Sequence, residues 1–277
     1  MKIKILFFLV LALLLASCAT QPTATQTATE TGVSAISEPA VLNVFAAASL
    51  TEPFSEIGKV FEANHPGVTA VFNFAGSQQL AQQINEGAPA DVFASANKTQ
   101  MDTVVEAGGI VSGTEHIFAS NRLVVIYPQD NPAGLKELKD LANPGLKLVL
   151  AAEEVPVGKY SLGFLDKAAA GPAFGTTFKD GVLGNVVSYE NNVKVILTKV
   201  ALGEADAGIV YISDISGEDA SKVGRLDISD ALNVIASYLI APVRGSENQD
   251  LAQAFVDLVL SQEGQDILAK YNFIPVR

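Results

Sequence analysis

The sequence predicts an α/β protein made of two lobes that are joined by a two-stranded hinge, with a ligand in the cleft between them. From residue 41 onward, short apolar runs alternate with segments of helical periodicity. Small residues and a serine follow the first two predicted strands. The last strand and two helices are expected to return to the first lobe. We therefore predict that lobe 1 comprises residues 41–123 and 236–277, and lobe 2 residues 124–235.

Composition limits the classes of partner. The chain has 277 residues, of which 49% are hydrophobic, and carries a formal net charge of −12. A sizeable core is therefore available. Binding to nucleic acid needs clustered basic residues, so we expect no nucleic-acid partner. The same charge argues against a broad basic surface for anions.

Residues 1–17 have the features of a lipoprotein signal peptide. Lys2 and Lys4 precede an apolar segment, residues 5–15, which is too short to span a bilayer stably. The segment ends in LASC, which resembles a lipobox. We expect acylation of Cys18 and an extracytoplasmic protein anchored to the cell membrane. The alternative is ordinary secretory cleavage that leaves Cys18 as an idle thiol.

Residues 18–40 are predicted to be a flexible tether. Six threonines occur between Thr20 and Thr31, mixed with alanine, glutamine and proline. The segment has no apolar periodicity with which to build a core.

The first strand of the folded part, residues 41–45, leads through three alanines to Ser49 and a helical pattern. The first turn of a helix leaves backbone N–H groups unpaired and carries partial positive charge, so it attracts anions. An alternative is that Ser49 caps its own helix, because the sequence SLTE fits a capping box.

The same arrangement follows the second strand, residues 68–74, where Ser77 precedes the helix predicted for residues 78–85. Ligands of open α/β sheets bind at the carboxyl ends of the strands. Ser49 and Ser77 are therefore expected to converge on one point. The recurrence favours an anion site over capping alone.

The third strand, residues 91–96, begins with Asp91. A carboxylate would repel an anion, so we expect Asp91 to accept hydrogen bonds from backbone N–H groups at the strand start. Asn97 is predicted to cap the following helix, which ends near Ala107. A fourth strand is predicted for residues 122–127.

The second lobe repeats the alternation of strands and helices. Gly158-Lys159 suggests a phosphate-binding loop, but the required earlier glycine is Glu153 and no Ser or Thr follows Lys159, so we reject nucleotide binding. Strands are predicted for residues 146–151, 186–189, 207–212 and 235–243, and helices for residues 135–141, 159–169, 193–202, 248–260 and 262–271.

Five motifs resemble the molybdate-binding proteins of ABC importers, in their bacterial branch. They are LNVFAAASLTE (42–52), FAGSQQL (74–80), PADVFASA (89–96), VPVGKY (155–160) and GIVYISD (208–214). The resemblance covers the chain from residue 41 to the C-terminus. It implies a type II periplasmic-binding-protein fold with mixed sheets. It also implies a monomer without enzymatic activity or cofactor, which captures molybdate or tungstate and delivers it to an ABC permease and its ATPase.

The resemblance also implies five binding residues. The hydroxyls of Ser49, Ser77 and Tyr211 and the backbone N–H groups of Val157 and Val193 would hold the anion, so that the metal is bound only as its oxyanion. Molybdate has no proton near neutral pH and only accepts hydrogen bonds, whereas hydroxyls and amides donate them. A neutral site also avoids burying a fixed counter-charge.

Four alternatives stay open. The ligand could be sulfate or another small oxyanion. Glu153 or Glu154 could add a carboxylate ligand, as in an archaeal branch, although solvated loop charges are the simpler interpretation. A serine hydrolase is disfavoured because neither Ser49 nor Ser77 lies in G-x-S-x-G. A purely structural lipoprotein would show no ligand-dependent rise in melting temperature, and Tyr211 taken alone could be a core residue with its hydroxyl at the edge.

Overall fold

The computed structural model describes residues 39–276, except for the side chains of residues 217 and 218. The predicted signal peptide, Cys18 and nearly all of the predicted tether lie outside the described residues. The first strand begins at Ala40. No helix in the described range is both long and apolar enough to cross a bilayer.

A six-stranded mixed sheet is formed mainly by the first part of the chain, in the order β11-β4-β10-β3-β1-β2. Strand β1 pairs in parallel with β2 and β3, so their carboxyl ends lie at one edge. Strand β10 runs antiparallel between β3 and β4. The strands are β1 (Ala40–Ala47), β2 (Val68–Ala75), β3 (Val92–Ser95), β4 (His116–Asn121), β10 (Ala236–Pro242) and β11 (Ile274–Pro275).

A five-stranded mixed sheet is formed by the middle of the chain, in the order β7-β6-β8-β5-β9. Strand β6 pairs in parallel with β7 and β8, and β5 lies antiparallel between β8 and β9. The strands are β5 (Leu123–Pro128), β6 (Leu148–Ala151), β7 (Val186–Glu190), β8 (Ala207–Tyr211) and β9 (Val223–Asp227).

Eight α-helices accompany the sheets within the described residues. The helices α1, α7 and α8 pack together beside the six-stranded sheet: Phe255 of α7 meets Phe54 and Phe61 of α1 edge to face at 5.7 and 5.3 Å. The two C-terminal helices thus pack with α1 beside the first sheet. The helices are α1 (Thr51–Asn64), α2 (Ser77–Asn85), α3 (Lys98–Glu106), α4 (Pro156–Ala170), α5 (Phe178–Gly184), α6 (Val193–Ala201), α7 (Gln249–Leu260) and α8 (Gln262–Lys270).

The chain passes between the sheets twice. Arg122 alone separates β4 of the first sheet from β5 of the second. Residues 228–235 lead from β9 back to β10. The predicted strand over residues 122–127 is therefore the second of two consecutive strands, and β4 is absent from the prediction. The division into lobes at these connections stays a prediction.

Other elements differ from the sequence prediction. The helix expected over residues 135–141 is a short 3-10 helix at Leu138–Ala142. Helix α4 begins at Pro156, three residues earlier than predicted, because proline fits the first helical position. The prediction also lacked α5 and the short strands β9 and β11.

Candidate functional site

Ser49 lies in a single 3-10 turn, Ala48–Leu50, between β1 and α1. It is not the N-cap of α1: Leu50 has that position and makes no side-chain cap, so the capping-box interpretation is wrong. The Ser49 side chain is buried, and its Oγ lies 2.8 Å from the Tyr238 hydroxyl. The Ser49 hydroxyl therefore contacts Tyr238 and does not cap α1.

Ser77 is the first residue of α2, directly after the small residues that end β2. Its Oγ accepts a hydrogen bond from the backbone N–H of Ala96 at 3.0 Å. Gly76 precedes it, and a Cβ at Gly76 would lie only 2.4 Å from the carbonyl oxygen of Asn191. The absence of a side chain at Gly76 lets the two sheets approach each other at this point.

Val157 and Val193 lie at the starts of two helices of the five-stranded sheet. Val157 is the second residue of α4, and Val193 is the first residue of α6, which Asn192 caps by accepting from Val195 N–H at 3.2 Å. N–H groups at these positions have no acceptor within the helix. Both can therefore donate to an anion, aided by the helix dipole.

Tyr211 ends β8 and is 1% exposed. Within the described part of the chain its buried hydroxyl has no hydrogen-bond partner of good geometry. Its ring meets those of Tyr238 and Tyr160 edge to face, with centroids at 5.8 and 6.4 Å. Burial, together with these neighbours, raises the pKa of Tyr211 well above its ordinary value. The hydroxyl is therefore a protonated donor that lacks an acceptor.

One cavity brings all five predicted residues together. Its volume is about 20 Å³, which exceeds the roughly 10–15 Å³ that one water needs on this measure. No charged side chain is among the described residues that line it. Its walls come from both sheets and consist of Ala47, Ala48, Ser49, Ala75, Gly76, Ser77, Ala96, Val155, Pro156, Val157, Asn192, Val193 and Tyr211.

A buried carboxylate lies behind Tyr211, one of the residues that line the cavity. Asp214 is fully buried; its Oδ2 accepts from the Tyr211 backbone N–H at 2.9 Å, and its Oδ1 lies 3.8 Å from Lys194 Nζ. Lys194 in turn contacts Glu52. Burial raises the pKa of Asp214 to about 6, although Lys194 opposes the rise. The sequence prediction did not single out Asp214, which ends the 3-10 turn Ile212–Asp214 that follows the buried strand β8.

Side chains from the two halves of the fold also meet around the cavity. Gln78 of α2 donates to the carbonyl of Asn191 at 2.9 Å, and Gln100 of α3 donates to that of Glu154 at 3.1 Å. Lys159 of α4 donates to Thr99 Oγ1 at 3.0 Å. The elements that carry the two groups of donors are therefore in contact.

Asp91 lies outside the cavity and accepts from the backbone N–H of Asn43 at 2.7 Å, so its predicted structural role is confirmed. Glu153 and Glu154 are exposed and do not line the cavity.

The two histidines are remote from both serine hydroxyls. His65 stacks on Phe61, and the exposed His116 is the first residue of β4. Neither serine has a histidine as its hydrogen-bond partner in the described residues. In residues 39–276 no cluster of His, Cys, Asp and Glu is suited to a metal ion.

Two mixed sheets with an uncharged cavity between their helix starts define a binding protein of the type II periplasmic class. The fold of the Azotobacter vinelandii periplasmic molybdate-binding protein matches at a TM-score of 0.73, with 18% identity over 85% of this chain and all of that one. The sulfate-binding protein SubI of Mycobacterium tuberculosis matches at 0.75, with 19% identity over 86% and 87% of the two chains. At these identities the likeness shows the fold alone.

The sequence comparison defines the family. Residues 42–274 match the model of the bacterial extracellular solute-binding proteins, and the chain belongs to that family. It is 39% identical to the molybdate-binding protein ModA of Mycobacterium tuberculosis over 230 residues, which is 83% of each chain. The resemblance and the fold class predicted from the sequence are thus confirmed. The related proteins are solute-binding proteins, which favours a binding protein over an enzyme.

Proposed function

We propose that this protein captures molybdate, and also tungstate, outside the cytoplasm and delivers it to an ABC importer. The observation that carries the proposal is the single cavity that gathers the hydroxyls of Ser49, Ser77 and Tyr211 beside the helix starts at Val157 and Val193. The 39% identity to a molybdate-binding protein supports the choice of ligand.

The chemistry of the lining fits a doubly charged oxyanion. Each of the five groups is able to donate a hydrogen bond, and the fully deprotonated anion accepts at all its oxygens. The unpartnered hydroxyl of Tyr211 would gain its acceptor from the ligand. Helix dipoles supply positive potential without the desolvation cost of a buried lysine or arginine.

Walls from both sheets indicate how the ligand would be held. We infer that the two halves close on the anion by a hinge motion at the two connections near Arg122 and residues 228–235, in the manner of other two-lobed binding proteins. Donors on both sides would make closure and binding a single event. No resident cofactor is needed for this role.

Titration calorimetry with molybdate, tungstate, sulfate and phosphate tests the proposal. We expect molybdate and tungstate to bind and to raise the melting temperature, because a ligand that binds only the folded state stabilises it. Sulfate binding as tight as that of molybdate would show a general oxyanion receptor. Absence of any thermal shift would favour a structural lipoprotein, and ester hydrolysis that is lost in Ser77→Ala would favour an enzyme.

The membrane anchor is a separate part of the proposal. We propose that Cys18 is acylated and tethers the protein to the outer face of the cell membrane, where a monomer would meet its permease and ATPase. Metabolic labelling with a radioactive fatty acid should label the wild type and not Cys18→Ala. Equal labelling of both would exclude Cys18 as the anchor.

A further inference from the structure

Two glutamines from helices beside the six-stranded sheet reach the loops that precede the donor helices α6 and α4. Gln78, the second residue of α2, donates its Nε2 to the carbonyl oxygen of Asn191 at 2.9 Å. Gln100, the third residue of α3, donates its Nε2 to the carbonyl oxygen of Glu154 at 3.1 Å. A carbonyl oxygen only accepts and an amide nitrogen only donates, so chemistry fixes the direction of both hydrogen bonds.

Both acceptor carbonyls lie just before a backbone donor of the proposed site. Asn191 is two residues before Val193, and Glu154 is three residues before Val157. The side chain of Asn192 caps α6, so the short segment between the Asn191 carbonyl and the Val193 amide is tied to the helix start. The place at which each carbonyl meets its glutamine therefore bears on how far the following amide lies from the opposite wall of the cavity.

The contact at Gln78 leaves little room for a closer approach of the two halves. Its side-chain amide lies over Gly76, where a Cβ would come within 2.5 Å of Gln78 Oε1 and 2.6 Å of Nε2, and would also overlap the Asn191 carbonyl oxygen. Gln78 Oε1 is buried and has no hydrogen-bond partner among the described residues. A buried polar atom without a partner is costly and calls for an explanation. The explanation offered by the geometry is that the amide is packed between the Gly76 backbone and the opposite loop.

Other contacts between the halves are more adaptable. Lys159 Nζ donates to Thr99 Oγ1 at 3.0 Å, and Lys194 Nζ contacts Glu52. A lysine side chain has a flexible four-carbon stem and three donor hydrogens, so it can keep its partner while the halves shift slightly. The amide of Gln78, which rests on a backbone, has no such freedom.

We propose that Gln78, assisted by Gln100, is a specificity-determining residue whose contact with the opposite loop stops the two halves at a separation that suits molybdate. Sulfate has the same charge and no proton at neutral pH, so an uncharged lining of donors does not exclude it. Its bonds to oxygen are shorter than those of molybdate. A cavity held at a fixed width would therefore leave some donors beyond hydrogen-bond distance of sulfate. This inference rests on the proposed function, since it concerns which oxyanion the same cavity selects.

Gln78→Ala tests the inference when calorimetry at pH 7 compares molybdate, tungstate and sulfate. Without the contact the halves can approach more closely, so that the donors reach the smaller anion. We expect the ratio of the sulfate to the molybdate dissociation constant to fall by about tenfold, whereas the ratio for tungstate and molybdate, which are nearly equal in size, stays within about twofold. Combining Gln78→Ala with Gln100→Ala should lower the sulfate ratio further. Displacement of bound molybdate gives sulfate constants that are too weak for direct titration.

Gln82→Ala is the matched control, because Gln82 lies on the same helix and donates to Glu86 Oε1 at 2.8 Å, within one half of the fold. Its ratio of sulfate to molybdate constants should equal that of the wild type. An unchanged ratio in both Gln78→Ala and the double variant, even with weaker binding of every anion, would mean that the glutamines only hold the halves together. That result, or a higher ratio, would overturn the inference.

Failure of the proposed function would give a different result. It would fail if the wild type bound no oxyanion, or bound sulfate at least as tightly as molybdate. A wild type that selects molybdate, with variants that keep the same selectivity, would refute only the role of Gln78 and Gln100.

Discussion

Lys194 Nζ lies 2.9 and 2.7 Å from the two carboxylate oxygens of Glu52, and this ion pair joins helix α6 of the five-stranded sheet to helix α1 beside the six-stranded sheet. Both side chains are less than one third exposed. Partial burial strengthens such a pair relative to a fully solvated one, because water screens it less. The contact therefore holds the two halves of the fold together beside the cavity.

Lys194→Met should weaken molybdate binding by about threefold to tenfold, the effect of losing the partly buried ion pair with Glu52, of roughly 1 kcal/mol, together with the longer contact to Asp214. Calorimetry at low and high salt measures it. Lys270→Met is the matched control, because Lys270 pairs with Glu56 at 2.7 Å between α8 and α1, on one side of the fold only. Equal losses in the two variants would contradict a role in closure.

Ser49→Ala and Ser77→Ala should each weaken molybdate binding by about 1.5–3 kcal/mol, the usual contribution of a hydrogen bond to a charged partner. Calorimetry on the purified variants gives the value. Ser55→Ala is the control, since that hydroxyl donates to the Thr51 carbonyl within α1, away from the cavity. Unchanged affinity in both variants would refute the site.

Tyr211→Phe should have opposite effects on stability and on binding. The ligand-free protein should be as stable as the wild type or more stable, because a buried hydroxyl without a partner costs about 1–3 kcal/mol. Molybdate affinity should fall, because one donor is lost. Thermal melts with and without ligand measure both. A less stable protein with full affinity would mark Tyr211 as a core residue only.

Gly76→Ala should impair closure. The new Cβ would lie 2.4 Å from the Asn191 carbonyl, which belongs to the other half of the fold. We expect a fall in molybdate affinity of about tenfold or more, with a smaller effect on the ligand-free protein, in which the halves can separate. Gly184→Ala is the control, since its Cβ would meet open space. A similar loss of stability in the absence of ligand would instead indicate a folding defect.

Asp214→Asn should stabilise the protein above pH 6. The ordinary pKa of the carboxyl is 3.8, and burial raises it to about 6 in the folded state. Between these values a rise in pH ionises only the unfolded state, so stability falls there, by roughly 3 kcal/mol, and stays lower above pH 6. The variant should lack this loss.

Denaturant titrations from pH 4 to pH 8 measure the effect of Asp214→Asn. Asp166→Asn, at an exposed position, should follow the wild-type profile. Identical pH profiles for the wild type and Asp214→Asn would show that the Asp214 carboxyl is not perturbed.

The sequence was informative where a local pattern determines structure. The alternation of apolar and polar residues, and the small residues after it, predicted β1, β2 and the helices that follow them. The similarity of short motifs to a known family predicted Ser49, Ser77 and Tyr211 as binding residues, and all three line one cavity. The sequence did not predict β4, because only one residue separates it from β5 and no turn signal marks a boundary there. The two strands are distinct because they belong to different sheets. The α-helix predicted for residues 135–141 was wrong: the segment forms only a short 3-10 helix, because so few residues cannot form a stable α-helix.

The polar groups behind the cavity could not be predicted in this way. Tyr238 lies 189 positions from Ser49 along the chain, and their contact depends on β10 entering the first sheet next to β3. Lys194 meets both Asp214 and Glu52 only after α1 and α6 are in place. Such contacts follow from tertiary packing and carry no local signal.

The position of β10 in the middle of the first sheet has a consequence for synthesis. Strands β1–β4 leave the ribosome first, but β3 and β4 each need β10 as a neighbour, and β10 follows the whole five-stranded sheet. In a nascent chain that stops before Ala236, one edge of β3 and both edges of β4 lack their partners, because β11 also comes later, and unpaired edges favour aggregation. Residues 123–227 contain every strand of the five-stranded sheet. All strands of that sheet are therefore synthesised before the six-stranded sheet, which begins earlier in the chain, receives its last strands.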